Sequence, residues 1–405
     1  MRATAALTAA AVALFLGSWS ILHHGAFTRD QIVDTSLYQQ YGENIAHGQV
    51  PYRDFRPEYP PGALPVFVLP ALGHEGDSNA YDRWFDRLMA LCGCLAIVGA
   101  ALVLRALDGG RLRTSAALGL IGISPLLVGP VVLSRFDLWP AALAILALAA
   151  LLWDRPAIAA IVLGAAIAAK LWPVVVAPLA VVWMWKRRGR RAALTWAAWL
   201  VVVDAAIFLP FSILSPGGMH HALDSQLVRP LQIESLGGAV LIASHKLFGT
   251  ELSVYTTMSQ NLTGPGVKVV EDLTTGLQLA WLVAAWTLFA RGAATRERLV
   301  GHAAATVALL VALGKVLSPQ FAIWLIPLVP VVRQRSASAL LFVALLLTGL
   351  YFPRHYWQLV SFHSPEVWEL LARDLCLLAL GFLLVLEPRR ERVEERSLLR
   401  PVELS

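Results

Sequence analysis

Charge is scarce in this chain, and long polar stretches are missing. Only 15% of its 405 residues are Asp, Glu, Lys or Arg, against 57% hydrophobic, and mean hydropathy is +0.63. Apolar runs recur from one end to the other, which leaves no room for a soluble domain. Cysteine is nearly absent: Cys92, Cys94 and Cys376 each lie inside an apolar run, so neither a disulfide framework nor a thiolate metal quartet is on offer. The net charge of +6 does not imply nucleic acid. The basic residues fall in short clusters between apolar runs, as membrane topology determinants do.

Runs of roughly bilayer-crossing length lie at about 5–22, 88–107, 114–133, 137–153, 192–213, 273–290, 298–313, 319–333, 337–352 and 368–386. The first has only Arg2 before it and no small-residue cleavage signature after it, and reads as an uncleaved anchor. Residues 156–185 would make about 45 Å of helix at 1.5 Å per residue, too long for one straight span and short for two. Charge parity decides. With the N-terminus cytoplasmic and two crossings there, turning outside at Lys170, the inner side holds Arg2, Arg155 and the clusters at 105–113, 186–191, 291–298, 333–335 and 389–400. These are 20 of the 33 basic residues. A single crossing would export the 186–191 cluster and invert every later loop, against the tendency of short basic loops to stay in the cytoplasm.

The expected fold is an all-α integral membrane protein, one polytopic domain over residues 1–405 with about 12 transmembrane helices. Both termini are expected to be cytoplasmic, with a basic tail at 387–405. Two long loops, 23–87 and 214–272, face outside, and 60–72 is at most a shallow dip. In the first loop Leu37, Tyr38, Tyr41 and Ile45 share one helical face, Asp34 starts that helix and Gly48 is placed to end it. Tyr81, Trp84, Phe85 and Leu88 at helical spacing predict an interfacial helix feeding the second span.

The tight outer turns are unusual, because each sets a cation at the membrane boundary: Ser134-Arg135-Phe-Asp137, Ala169-Lys170-Leu-Trp-Pro173 and Gly314-Lys315-Val-Leu-Ser-Pro-Gln320. The second long loop adds Arg229-Pro-Leu-Gln232-Ile-Glu234-Ser235. Such residues are costly at membrane depth unless paired or used. A ligand with an anionic head and an apolar tail fits them, namely a lipid phosphate.

Taken in order, Asp34 with Tyr38, Gly48 with Pro51-Tyr52, Glu58-Tyr-Pro-Pro61, Arg135 with Asp137, Lys170 with Pro173, residues 229–235 and residues 314–320 resemble the membrane glycosyltransferases of the GT-C class, and within them glycosyltransferase family 87. The resemblance implies a GT-C-type bundle in the plasma membrane. It also implies a hexosyltransferase, often a mannosyltransferase, that uses a polyprenyl-phosphate sugar on the extracytoplasmic face. The acceptor would be an envelope glycolipid or polysaccharide. In relatives the 314–320 turn often carries paired histidines, whereas this chain has Ser318-Pro319-Gln320. Gln320 would then orient substrate only, or His355 or His363 would take over from another outer loop, or a different sugar is transferred.

Sugar transfer from a lipid phosphate needs a base for the acceptor hydroxyl and cations for the departing phosphate. Asp34 is the candidate base, since GT-C enzymes carry a catalytic acidic residue in their first outer loop. Asp54 and Glu58 are the next acidic candidates. Arg135, Asp137, Lys170, Arg229, Gln232, Glu234, Lys315 and Gln320 are candidates for donor-phosphate or substrate binding, with Tyr38, Tyr52, His355 and His363 secondary. No Asp-x-Asp pair is placed for a nucleotide-sugar metal, so neither a metal nor a cofactor is expected beyond the lipid-linked donor as co-substrate. Expected partners are that donor, the acceptor and membrane lipids, not nucleic acid.

Plainer readings stand beside these. Asp34 could simply cap its helix. Arg135 and Asp137 could pair only with each other, and Lys170 could snorkel to the interface. A transporter or flippase for a lipid-linked sugar would also need anion contacts, but such proteins bind at mid-membrane between repeated halves, and no halves are evident. A non-catalytic polysaccharide-assembly subunit is the third possibility.

Overall fold

The computed structural model describes residues 2–29 and 31–386; the tail expected at 387–405 lies outside them. The protein is an all-α membrane protein. Its helices in order are α1 (Arg2–Ile21), α2 (Thr35–Ala46), α3 (Leu64–Ala71), α4 (Ser78–Ala106), α5 (Arg111–Val128), α6 (Leu138–Leu152), α7 (Pro156–Ala169), α8 (Ala177–Leu214), α9 (Pro216–Leu227) and α10 (Leu236–Phe248). After a small hairpin come α11 (Val267–Arg291), α12 (Arg296–Ala312), α13 (Ala322–Leu325), α14 (Arg335–Tyr351), α15 (Tyr356–Val360) and α16 (Ser364–Leu386). The hairpin, β1 (Ser253–Thr256) paired antiparallel with β2 (Gln260–Thr263), sits in the second long loop.

Among the described residues five segments are long and apolar enough to cross a membrane: Arg2–Ile21, Ser78–Ala106, Arg111–Val132, Trp172–Leu214 and Val267–Arg291. Shorter apolar helices, among them α6, α7 and α14, complete the bundle. The helical run stops at Lys170, which is extended between α7 and a 3-10 turn at Trp172–Val176. Within the basic cluster α8 is really two helices that meet at Gly189, whose φ of +86° is left-handed and costs a glycine nothing.

Two expectations differ from what is found. The run 319–333 is not one helix: a 3-10 turn at Pro319–Phe321 and the single turn of α13 are its only helical pieces, because Pro319, Pro327 and Pro330 each remove a backbone donor. Its side chains are nonetheless almost wholly buried. Residues 81–88 do not form a separate interfacial helix. They are the first turns of the 29-residue α4, with Tyr81 and Phe85 fully buried while Trp84 faces out.

Loops that the charge pattern groups together do touch. Arg113 forms a bidentate pair with Glu297 at 2.5 and 2.9 Å and donates to the Val331 carbonyl. Arg296 donates to Ala106, Lys186 to Gly292, and Arg188 pairs with Asp154. At the other end the two long loops are stitched together: Ser215 donates to the Tyr52 carbonyl and Gln226 to that of Glu58. A Cβ on Gly218 would collide with the Tyr52 carbonyl oxygen, so only glycine lets α9 lie this close.

Candidate functional site

The site is built on the start of α2. The apolar face of that helix buries Tyr38 and Tyr41, and Gly48, at φ +82°, lets the chain turn away behind it. Asp34 stands at the N-cap position, yet its side chain makes no capping hydrogen bond. Its carboxylate, about 30% exposed, instead pairs with Arg135 at 2.5 Å and accepts from the Tyr38 hydroxyl at 3.4 Å. The simple capping reading is therefore not the conformation adopted.

Arg135 is buried in the turn before α6 and also reaches the Ile32 carbonyl at 3.4 Å. Burial works against its charge, and Asp34, Tyr38, Tyr59 and Asp137 together more than offset it, so its pKa is raised. Asp137, two residues on, turns the other way. Its Oδ1 accepts from Lys170 Nζ at 2.6 Å and from Trp324 Nε1 at 2.5 Å. Arg135 and Asp137 thus take separate partners, each drawn from a distant segment.

Lys170 lies in an aromatic box, its ammonium 4.7 Å from the Phe136 ring centre, 5.4 Å from Trp324, 5.6 Å from Phe321 and 6.0 Å from Tyr59. Burial lowers its pKa, and Asp137 opposes the shift. Ring quadrupoles and one carboxylate stand in for lost water. Beneath Asp34, Tyr38 stacks on Phe67 at 4.5 Å and meets Phe136 and Tyr59 edge-on at 5.7 and 5.8 Å. This aromatic floor fixes the Asp34 and Arg135 turns relative to each other.

Glu58 and Arg229 form the neighbouring part of the site. Burial raises the Glu58 pKa, with Arg229 acting against it and Asp34 adding to it; burial lowers that of Arg229, with Glu58 opposing. Asp54 is not joined to this group. It pairs with adjacent Arg53 at 2.9 Å and accepts from the Val50 N–H, and the guanidinium holds its pKa low. Tyr52 is buried, with its hydroxyl donating to the Tyr59 carbonyl at 2.7 Å, so it braces the loop.

Gln232 and Glu234 are enclosed. Gln232 Nε2 donates to Glu234 and to Ser318 at 3.1 and 3.2 Å, Tyr351 donates to Glu234 at 3.0 Å, and Arg373 donates to the Glu234 carbonyl at 2.8 Å. Burial pushes the Glu234 carboxyl up to about 7, against Arg373 and the Tyr351 hydroxyl. Lys315 points to Glu271 at 3.5 Å rather than into the Asp34 group. Gln320 is half-buried beside Phe321. His355 engages the Leu350 carbonyl at 3.1 Å and His363 is exposed; neither is brought to Asp34. The four cations therefore do not converge at one point: Arg135 and Lys170 share the aromatic floor, Arg229 adjoins it through Glu58, and Lys315 stands apart.

Sequence reasoning missed Trp324, Tyr351 and the Arg373–Asp374 pair, which is fully buried at 2.7 Å. Signals existed for two of these. An indole N–H in an apolar run must find an acceptor, and two charges inside the run 368–386 demand partners.

The sequence profile of glycosyltransferase family 87 matches residues 58–319, well over half of the chain. Asp34, Tyr38, Tyr52 and Asp54 precede the matched region, and Gln320, His355 and His363 follow it. Among solved structures the chain is similar to the apo oligosaccharyltransferase of Archaeoglobus fulgidus, at 13% identity and a TM-score of 0.47, over 94% of this chain and 55% of that one. It is also similar to AglB of the same archaeon in complex with an inhibitory peptide and a dolichol-phosphate, at 15% identity and a TM-score of 0.40, over 99% of this chain and 52% of that one. The chain spans about half the length of these structures. No curated protein matches it. The extent of the family match, on a helical membrane protein, identifies the chain as a member of glycosyltransferase family 87.

Proposed function

We propose that the protein transfers a hexose, mannose in the first instance, from a polyprenyl-phosphate donor to an envelope glycolipid or polysaccharide at the extracytoplasmic face of the plasma membrane. The observation that carries this reading is the Asp34–Arg135 pair. A partly exposed carboxylate, excused from capping, is held beside a guanidinium that a phosphate would also bind. Donor phosphate at Arg135 competes for the guanidinium and frees Asp34.

Asp34 then takes the acceptor hydroxyl proton as the new bond forms between acceptor oxygen and the anomeric carbon. The bond from that carbon to the phosphate oxygen breaks on the opposite face. The leaving lipid phosphate keeps the electron pair, and Arg135, with Arg229 nearby, holds its charge. A single displacement on a β-linked donor gives an α-linked product. Lys170, already paired, fixes Asp137 and so the turn that carries Arg135. The leaving phosphate has protein cations to meet it, so the reading requires no metal.

The test incubates membranes containing the protein with labelled polyprenyl-phosphate-mannose, or with the corresponding nucleotide sugar, in EDTA. Transfer from the lipid-linked donor alone is expected. Transfer only from the nucleotide sugar, loss of transfer in EDTA, or donor translocation without transfer would overturn the reading.

A further inference from the structure

At the end of the bundle opposite Asp34, α1 and α4 part to leave a groove of about 610 Å³. Arg2 and Arg105 line its mouth, and Ala5, Ala9, Val12 and Ala101 line its length. The small side chains of Thr4, Ala5, Thr8 and Ala9 on α1 keep it open against Val98 and Leu102 of α4, and no carboxylate lines it. Residues 2 to 12 of a helix climb about 15 Å, half the roughly 30 Å hydrocarbon core of a bilayer. The groove is thus as long as one leaflet is deep.

Its mouth is also organised. The Arg105 guanidinium lies 5.1 Å from the Trp153 ring centre, and the Trp153 indole donates to the Leu102 carbonyl at 2.9 Å. A tryptophan pinned at a helix end is suited to the membrane–water boundary, and the ring holds Arg105 at that level. Two cations at one end of an apolar slot of leaflet length match an anionic phospholipid in charge and in shape.

We propose that this groove holds an anionic membrane phospholipid, with its headgroup phosphate between Arg2 and Arg105 and one acyl chain along Ala5, Ala9 and Val12. The site lies away from the donor site and does not depend on the assignment of Asp34.

Native mass spectrometry of the full chain, released from micelles holding equal amounts of phosphatidylglycerol and phosphatidylcholine, tests the proposal. Phosphatidylglycerol should be retained preferentially. Arg2→Gln and Arg105→Gln should each weaken its retention about fivefold, the effect of one interfacial basic residue. Ala9 is exposed, so Ala9→Phe fills the groove without entering the core and should displace the lipid. Arg190→Gln with Arg191→Gln, exposed elsewhere at the same end, should change nothing. Equal retention of both lipids, full retention by Ala9→Phe, or equal weakening by the Arg190/Arg191 pair would each overturn the proposal.

Discussion

Asp34 and Arg135 meet at 2.5 Å although a quarter of the chain separates them, and Asp34 makes this contact while leaving its own helix uncapped. An N-terminal aspartate normally gives its carboxylate to the free N–H groups of the first turn. Here the helix is held by its buried aromatic face, and the carboxylate is left for another partner.

Arg135 is the group expected to hold the donor phosphate. Arg135→Gln should raise the donor KM about tenfold to a hundredfold, the loss of one charged hydrogen bond. Arg135→Lys should recover only part of this, since an ammonium cannot make the forked contact. Steady-state kinetics with varied lipid donor reads both. An unchanged KM in Arg135→Gln would remove the phosphate contact.

Asp137 and Lys170 are predicted to act together in stability. Asp137→Asn takes the opposing charge from the buried ammonium, leaving it an amide oxygen and aromatic rings, and should cost about 3 kcal/mol, as loss of the charged partner of a buried pair does. Adding Lys170→Met should restore most of that loss. Thermal unfolding of the two variants in detergent decides it; a double variant no more stable than Asp137→Asn would show that the pair is not coupled.

Glu234 gives a pH dependence of definite sign. Its folded pKa, about 7, lies above the ordinary value of 4.5, so the folded protein binds the proton more tightly than the unfolded chain does. The proton-linked stability is full below about pH 4.5 and is lost as pH rises towards 7. Wild type should therefore unfold at a lower temperature at pH 7.5 than at pH 5. Glu234→Gln, which stays neutral, should narrow that difference; an unchanged difference would contradict the assignment.

Much of the framework was legible because it rests on local periodicity and on charge. The spacing of Leu37, Tyr38, Tyr41 and Ile45 predicted α2, and Gly48 its end. The basic clusters predicted which loops lie together, and Arg113 with Glu297, Arg296 with Ala106 and Lys186 with Gly292 join loops of that set. Partners were not legible. Nothing local says that Arg135 turns to Asp34 while Asp137 turns to Lys170 and Trp324, since such pairings are settled by helix packing. Prolines hid the broken backbone of 319–333 inside an apolar run. The packing of Tyr81 and Phe85 turned an apparent interfacial face into core.

The most direct test of the account is the turnover of Asp34→Asn with labelled polyprenyl-phosphate-mannose and saturating acceptor in membranes. The substitution removes the proton acceptor while keeping the shape. The account predicts a kcat lower by about 10²–10⁴, the range of a lost general base, with no rise in donor KM. A kcat equal to that of wild type would contradict it.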